Sequence, residues 1–328
     1  VEGVVVTVDD IDRRLGVELV GNARLSYSVL ARDLGLSVNG VKKRVAKLME
    51  RGILAEFGVL VNSGLCYGGV QISDVFGWVA TEGTEEEETF IHQVGGFPEI
   101  YSVSKTTRDT YMFYALVPGF EGISRMGRFL EKLPGVTHLE MDPVLYLGVP
   151  PGVVERKFST PGRIYDYTFS KPDLLVLRCL KEDPRMSISR IAKQAGLTPR
   201  RVRKILDMFH ETRAVVVYAD ICVEAAGFMR AVLRVKLDLA VQSPETFRDW
   251  TYQLYPFGWL GTYSCVNQPS TLLYYVGAEN IISIEELAKT VKASPAVQTV
   301  DTIILYREHM FHGRMHQRVD ELLSDAGL

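Results

Sequence analysis

The feature that most limits what this chain can fold into is a copy of itself. The stretch "LSVNGVKKRVAKLMERGIL" at residues 36–54 returns as "LTPRRVRKILDMFHETRAV" at residues 197–215, 161 positions later. The same shift gives an ungapped match over residues 12–69. Asp12 falls on Asp173, Arg24 on Arg185, Ser26 on Ser187, Ala31 on Ala192 and Val41 on Val202. It returns further on, with Thr110 on Thr271, Pro134 on Pro295 and Val136 on Val297. A repeat this long requires two similar halves, each folding by the same plan. The join, "GVPPGVVERKFSTPGR" at residues 148–163, is rich in Pro and Gly and reads as a linker.

Each half has two parts. The first reads as three helices. Ile11, Leu15 and Leu19 recur at one-turn spacing, and Val29, Leu30 and Leu34 give a short second helix its inward face. Gly35 permits a tight left-handed turn. Ser37 is placed to cap a third helix, where Thr198 followed by Pro199 does the same by different chemistry. The expected inward stripe is Val38, Val41, Val45 and Leu48 in the first half, and Val202, Leu206 and Phe209 in the second. A β-rich run follows each third helix, as a wing or as a connecting strand.

The second part reads β-α-β-β-α-β. Strands are expected at residues 70–80, 99–105, 110–117 and 136–147, with helices at 85–94 and 119–132. In the second half the strands fall at 227–239, 258–266, 270–277 and 296–306, with helices at 244–254 and 284–293. This order predicts a ferredoxin-like arrangement. An amphipathic stretch at 308–326 adds a C-terminal helix. The expected organisation is an α+β chain: a winged or three-helix helix-turn-helix domain at 1–62, a ferredoxin-like domain at 63–150, a linker at 151–170, a second helix-turn-helix at 171–222, a second ferredoxin-like domain at 223–307 and the helix at 308–328.

Composition narrows function by exclusion. The chain has 328 residues, is 47% hydrophobic and carries a net charge of −3, so it is no polybasic nucleic-acid binder as a whole. Charge is uneven, however. Residues 82–88 hold five glutamates, whereas residues 37–51 hold Lys42, Lys43, Arg44, Lys47 and Arg51 against Glu50. No apolar run reaches membrane-spanning length and no signal-peptide pattern is present, which gives a cytoplasmic expectation with no membrane partner. Cys66, Cys179, Cys222 and Cys265 lack metal-ligand spacing and read as free thiols. His309, His312 and His316 suit one helical face, more simply a solvated face than a metal site. No phosphate-binding glycine loop or catalytic constellation stands out. The expectation is a protein that is not an enzyme and needs no cofactor.

The residues "DDIDRRLGVELVGNARLSYSVLARDLGLSVNGVKKRVAKLMERGIL" at 9–54 resemble the Lrp/AsnC (leucine-responsive) family of transcriptional regulators. "EDPRMSISRIAKQAGLTPRRVRKILDMF" at 182–209 resembles it more loosely. The resemblance implies a double-stranded DNA partner and a small-molecule effector, an amino acid or other metabolite. It also implies oligomers joined through the ferredoxin-like domains. In a helix-turn-helix the second helix of the motif enters the major groove. That assigns Ser37, Asn39, Lys42, Lys43, Arg44 and Lys47, and Thr198, Arg200, Arg201, Arg203 and Lys204, to the DNA side. Asn39, Lys42, Arg200 and Arg203 are the base-edge candidates, since Asn pairs with adenine and Arg with guanine. Lys43, Arg44, Lys47, Arg201 and Lys204 suit phosphates.

Family members carry one copy per chain, so this chain resembles a dimer made covalent. Their effector loop usually reads T-G-x-Y-D. Here "SKTTRDTYMF" places Asp109 at the last position and Thr106 or Thr107 where glycine is usual, and "CVNQPSTLLY" has Ser270 in place of the Asp. Thr106, Thr107, Arg108, Asp109, Asn267, Gln268 and Ser270 are the ligand-side residues this implies. Two rival readings share the architecture. One is a sirohaem decarboxylase, expected to keep His and Arg near the second strand of the α/β part, where this chain has Lys105 and Arg108. The other is an interaction module without DNA binding.

Overall fold

The computed structural model describes residues 8–83, 86–106, 109–148, 166–222, 224–254, 259–311 and 313–328. They form two compact units, each drawn from both halves. One holds both three-helix domains and the C-terminal helix, and the other holds both α/β parts.

In the first unit, α1 (Asp10–Gly21), α2 (Tyr27–Leu34) and α3 (Val38–Glu50) are mirrored by α6 (Lys171–Glu182), α7 (Ile188–Ala195) and α8 (Pro199–Thr212). Capping explains the boundaries. Ser26 and Ser187 accept from the backbone of the first turn of α2 and α7. Gly35 and Gly196 end those helices at φ 68° and 65°, where a side chain would be strained. The core is Leu15, Leu19, Leu30, Val41, Val45 and Leu48 in the first domain. Val38 departs from the expected stripe: at the first position of α3 it points to solvent. In α8 the stripe is Val202, Ile205 and Phe209, with Leu206 only half-buried.

The β-rich runs are neither separate wings nor plain connectors. β1 (Leu54–Val61) pairs antiparallel with its counterpart β6 (Val215–Ile221). A register irregularity at Ala55 shifts the internal correspondence by one residue, so that Gly58 lies opposite Tyr218 on the pseudo-two-fold. A side chain at Gly58 would run into the Tyr218 ring. That ring is pinned, because its hydroxyl donates to Glu56 (2.7 Å) and sits 3.1 Å from His316 Nε2. A symmetric dimer has the same residue twice at this point; a fused chain can set a knob against a hole. Gly58→Val is expected to destabilise the fold by about 1–3 kcal/mol through overpacking, read as a lower urea midpoint.

His316 lies on α11 (Gly313–Asp325), stacked on Tyr218 and held below its ordinary pKa by burial. The expected helix at 308–326 therefore starts later, because residues 308–310 belong to a strand. His309 is on that strand and His312 lies outside the described residues, so the three histidines do not share one helical face. The sign of the pH effect follows. A free histidine titrates near 6.5, and the folded His316 resists that proton. Stability is full above that value and falls as pH drops through it toward the lowered folded pKa. His316→Asn is expected to flatten the urea midpoint between about pH 7.5 and 5.5.

The second unit is a closed eight-stranded barrel. The first half supplies β2 (Ile72–Thr81), α4 (Glu87–Gly95), β3 (Ile100–Lys105), β4 (Thr110–Pro118), α5 (Gly119–Leu130) and β5 (Val136–Gly148). The second half supplies β7 (Met229–Leu237), α9 (Pro244–Leu254), β8 (Trp259–Cys265), β9 (Thr271–Ala278), α10 (Ile281–Lys292) and β10 (Val297–Met310). Each half has the ferredoxin-like strand order, β5-β2-β4-β3 and β10-β7-β9-β8. The edges that an isolated half would leave open are joined at two seams, β10 to β3 and β5 to β8, which removes the hazard of unpaired edges.

Alternation along the strands divides two environments. Tyr111, Phe113, Ala115 and Val117 pack against Phe90, Val94 and Met126 of the helices. The opposite parity gathers Phe76, Tyr114, Tyr146 and Tyr263 as touching rings. Beside them run Tyr114–Asp74 and Arg230–Glu308, with Tyr275 donating to Glu308 at 2.9 Å. Arg230 and Glu308 offset each other's charge, as a low-dielectric interior favours. No described helix is long and apolar enough to cross a membrane. The cysteines are free thiols, with Cys66, Cys179 and Cys265 buried.

Candidate nucleic-acid interface

The two recognition-type helices begin alike. Ser37 Oγ accepts from Gly40 N–H at 3.0 Å, and Thr198 Oγ1 accepts from Arg201 N–H at 3.2 Å. Both hydroxyls stay at the exposed N-terminus of their helix, each with a proton left to donate. Asn39, Lys42, Lys43 and Lys47 on α3 are exposed, as are Arg200, Arg201, Arg203 and Lys204 on α8.

Arg44 is the exception and corrects the expectation of a phosphate contact. Its guanidinium donates to Asp9 (2.8 Å) and Asp12 (2.6 Å), closing α3 onto the start of α1. Asp12 is nearly fully buried. The pair raises Arg44 above its ordinary pKa, while the Asp12 backbone N–H and then Arg44 lower Asp9. The second half solves the same junction without a cation. Ile205 replaces Arg44 and is buried, and Asp173 accepts from Ser170 N–H at 2.8 Å in a capping box. Arg44 is thus structural.

Two arginines that the repeat displayed without assigning hold the helix-turn-helix domains together. Arg24 of the first half donates to the carbonyls of Pro184 (2.5 Å) and Met186 (2.8 Å) in the second. Arg185 of the second half donates to the carbonyls of Ala23 and Leu25 (2.8 Å) in the first. The exchange is reciprocal, as a two-fold demands. Burial lowers both pKa values, and for Arg24 the neighbouring Arg185 charge adds to this. Together with β1–β6 pairing, it fixes α3 and α8 on one framework. The signal was the identical residue at matching positions; its partners, being backbone carbonyls, left no mark in the sequence.

The loops expected to hold an effector are anchored separately. Thr106 is buried, and its Oγ1 donates to the Thr110 carbonyl at 2.9 Å. Asp109 takes φ 52°, and its carbonyl accepts from Thr81 N–H at 3.0 Å. Thr107 and Arg108 lie outside the described residues. In the second half, Asn267 donates to Asp142 (3.3 Å). The Gln268 carbonyl accepts from Thr271 N–H at 2.7 Å, and the Ser270 carbonyl from Leu237 N–H at 2.8 Å. The described polar atoms of both loops are thus engaged within the protein.

Comparison with known proteins agrees with this geometry. The AsnC-type helix-turn-helix domain family matches residues 8–49, and a winged helix-turn-helix DNA-binding family matches residues 169–212. The HTH-type transcriptional regulator Ptr1 of Methanocaldococcus jannaschii is 28% identical over 125 residues, covering 38% of this chain and 80% of that protein. LrpA of Mycobacterium tuberculosis is 42% identical over 55 residues, covering 17% of this chain and 37% of LrpA. An uncharacterized HTH-type transcriptional regulator of Pyrococcus furiosus is 38% identical over 55 residues and is likewise matched over only 37% of its length. Among solved structures, the sirohaem decarboxylase NirDL shares the fold across 97% of this chain and 100% of its own, with TM-score 0.54 and 16% identity. The chain therefore carries an AsnC-type helix-turn-helix and a second, winged-type one, and over part of its length it is similar to HTH-type transcriptional regulators.

Proposed function

We propose that this protein is a sequence-specific DNA-binding transcriptional regulator whose two unlike recognition helices read two unlike half-sites of one operator. The observation that carries this reading is the pair of exposed cationic helices, α3 and α8, fixed to one pseudo-two-fold framework by Arg24, Arg185 and β1–β6. Asn39 and Lys42 serve one half-site and Arg200 and Arg203 the other. Lys43, Lys47, Arg201 and Lys204 meet phosphates. The experiment is a gel shift with the chain's own upstream DNA at about 50 mM salt, where phosphate contacts are strongest. Lys47→Ala is expected to weaken binding to all sequences alike and to lower the salt slope by about 1. A changed sequence preference in that variant contradicts the assignment. Effector binding at Thr106, Asp109, Asn267, Gln268 and Ser270 is part of the same reading. A thermal-shift screen with amino acids and related metabolites tests it, because a ligand selective for the folded state raises the midpoint.

A second reading, a tetrapyrrole enzyme, is favoured by one observation, the whole-chain fold likeness to NirDL. Against it, the ends of β3, near which such enzymes are expected to keep a His and an Arg, carry Lys105, its ammonium held by Glu87 at 2.5 Å. A Soret band that changes on incubation with sirohaem supports this second reading. An unchanged spectrum removes it.

A further inference from the structure

The pseudo-two-fold of the DNA-binding unit is broken beside the reciprocal arginines. Arg185 uses its in-plane N–H groups on backbone carbonyls, and its flat face lies on two rings, Tyr27 at 4.7 Å and Phe57 at 5.0 Å. Arg24 makes the matching in-plane bonds. At its face, however, the positions of Tyr27 and Phe57 are taken by Ile188 and Val217, the latter after the one-residue shift at Ala55. Smaller aliphatic groups replace two aromatic ones, and a cavity of about 280 Å³ is lined there by Arg24, Ile188, Leu206, Phe209 and Val217. Arg203 and Arg213 also line it, with Asp207 the single carboxylate.

We propose that this cavity binds a small aromatic carboxylate, its ring on the Arg24 guanidinium and its carboxylate on Arg203. The ring restores what the first half builds from its own side chains, since a guanidinium face over an aromatic ring is attractive and more so when desolvated. Arg24 and Arg203 outweigh Asp207 and set the sign of the ligand charge, and a guanidinium fork matches a carboxylate. Ile188, Leu206, Phe209 and Val217 give the ring an apolar bed, with Asn22 and His210 also on the lining. The pseudo-symmetric position is already filled by Tyr27 and Phe57, so the chain takes one ligand. Where the DNA-binding reading holds, the site couples to it directly: Arg203 is a base-edge residue of α8, and a carboxylate that captures it removes it from the groove.

The test is calorimetric titration of the full chain with phenylacetate, without DNA. The expected result is saturable binding at one site per chain. Cyclohexylacetate, which lacks the π face, and 2-phenylethanol, which lacks the charge, should bind at least tenfold more weakly. Ile188→Tyr, which rebuilds the first-half ring, should abolish binding. Arg203→Gln, at an exposed helix position, should weaken phenylacetate at least fivefold and leave 2-phenylethanol unchanged, which keeps the test decisive where Ile188→Tyr fails to fold. Absence of saturable binding to the native chain, equal binding of cyclohexylacetate, or undiminished binding in the variants overturns the proposal. Because no DNA is present, failure here and failure of DNA binding are separate results.

Discussion

Arg185→Ala is expected to be the most damaging single substitution of a charged residue in the DNA-binding unit, costing about 2–5 kcal/mol as the sum of lost hydrogen bonds and lost ring contacts. Two things are lost together. The carbonyls of Ala23 and Leu25 lose their donor, and a buried unsatisfied acceptor costs about 1–3 kcal/mol. The rings of Tyr27 and Phe57 lose the cation lying on them, worth about 0.5–2 kcal/mol. Arg24→Ala removes the same class of bonds but no ring stack, so its effect should be smaller by about that stacking contribution. Lysine should not rescue either position, because one ammonium cannot reproduce the planar fork that spans two carbonyls. Urea unfolding of the two alanine variants and the native protein measures the order of loss: Arg185→Ala, then Arg24→Ala, then native. Equal effects at the two positions contradict the asymmetry described here.

The second large effect concerns DNA affinity. Replacing Arg200, Arg201 and Lys204 with alanine removes three exposed cations from α8 without touching its buried stripe of Val202, Ile205 and Phe209. Counterion release then falls by about the two phosphates assigned to Arg201 and Lys204, and the Arg200 base contact goes with it, which predicts a salt slope reduced by about 1.8 and affinity lower by roughly 10²-fold near physiological salt. The remaining binding should be that of one helix, α3, because linked sites reinforce each other only while both engage. Stability should stay within about 0.5 kcal/mol, as is usual for surface changes away from special features. An unchanged salt slope would show that α8 does not approach the phosphates.

Much of this framework is legible in the sequence, for a physical reason. Helix caps, glycine turns and strand alternation are local, so Ser37, Thr198, Gly35 and the ferredoxin-like order can be read in one pass. Partnerships across the chain leave no such trace. Nothing local in residues 54–61 says that their partner is residues 215–221, or that β3 closes on β10. Arg44 shows the same limit within a site. Its spacing on α3 matches a phosphate contact, but Asp9 and Asp12 lie beside it only after α1 packs. Ile205 at the matching place in α8 was the available clue, since a position that tolerates a buried isoleucine in one copy faces inward in both. Val38 erred the other way, an apolar residue on the first turn where the helix end is still open to solvent.

The central claim is that two unlike helices in one chain read two unlike half-sites. Footprinting the native protein, Asn39→Ala and Arg200→Ala on one upstream DNA tests it most directly. Two protected half-sites of different sequence are expected, one helical turn or a multiple apart. Asn39→Ala should relax selectivity, by about 1–3 kcal/mol per contacted base, in one half-site and Arg200→Ala in the other. A perfect palindrome, or two variants that relax the same bases, would contradict it.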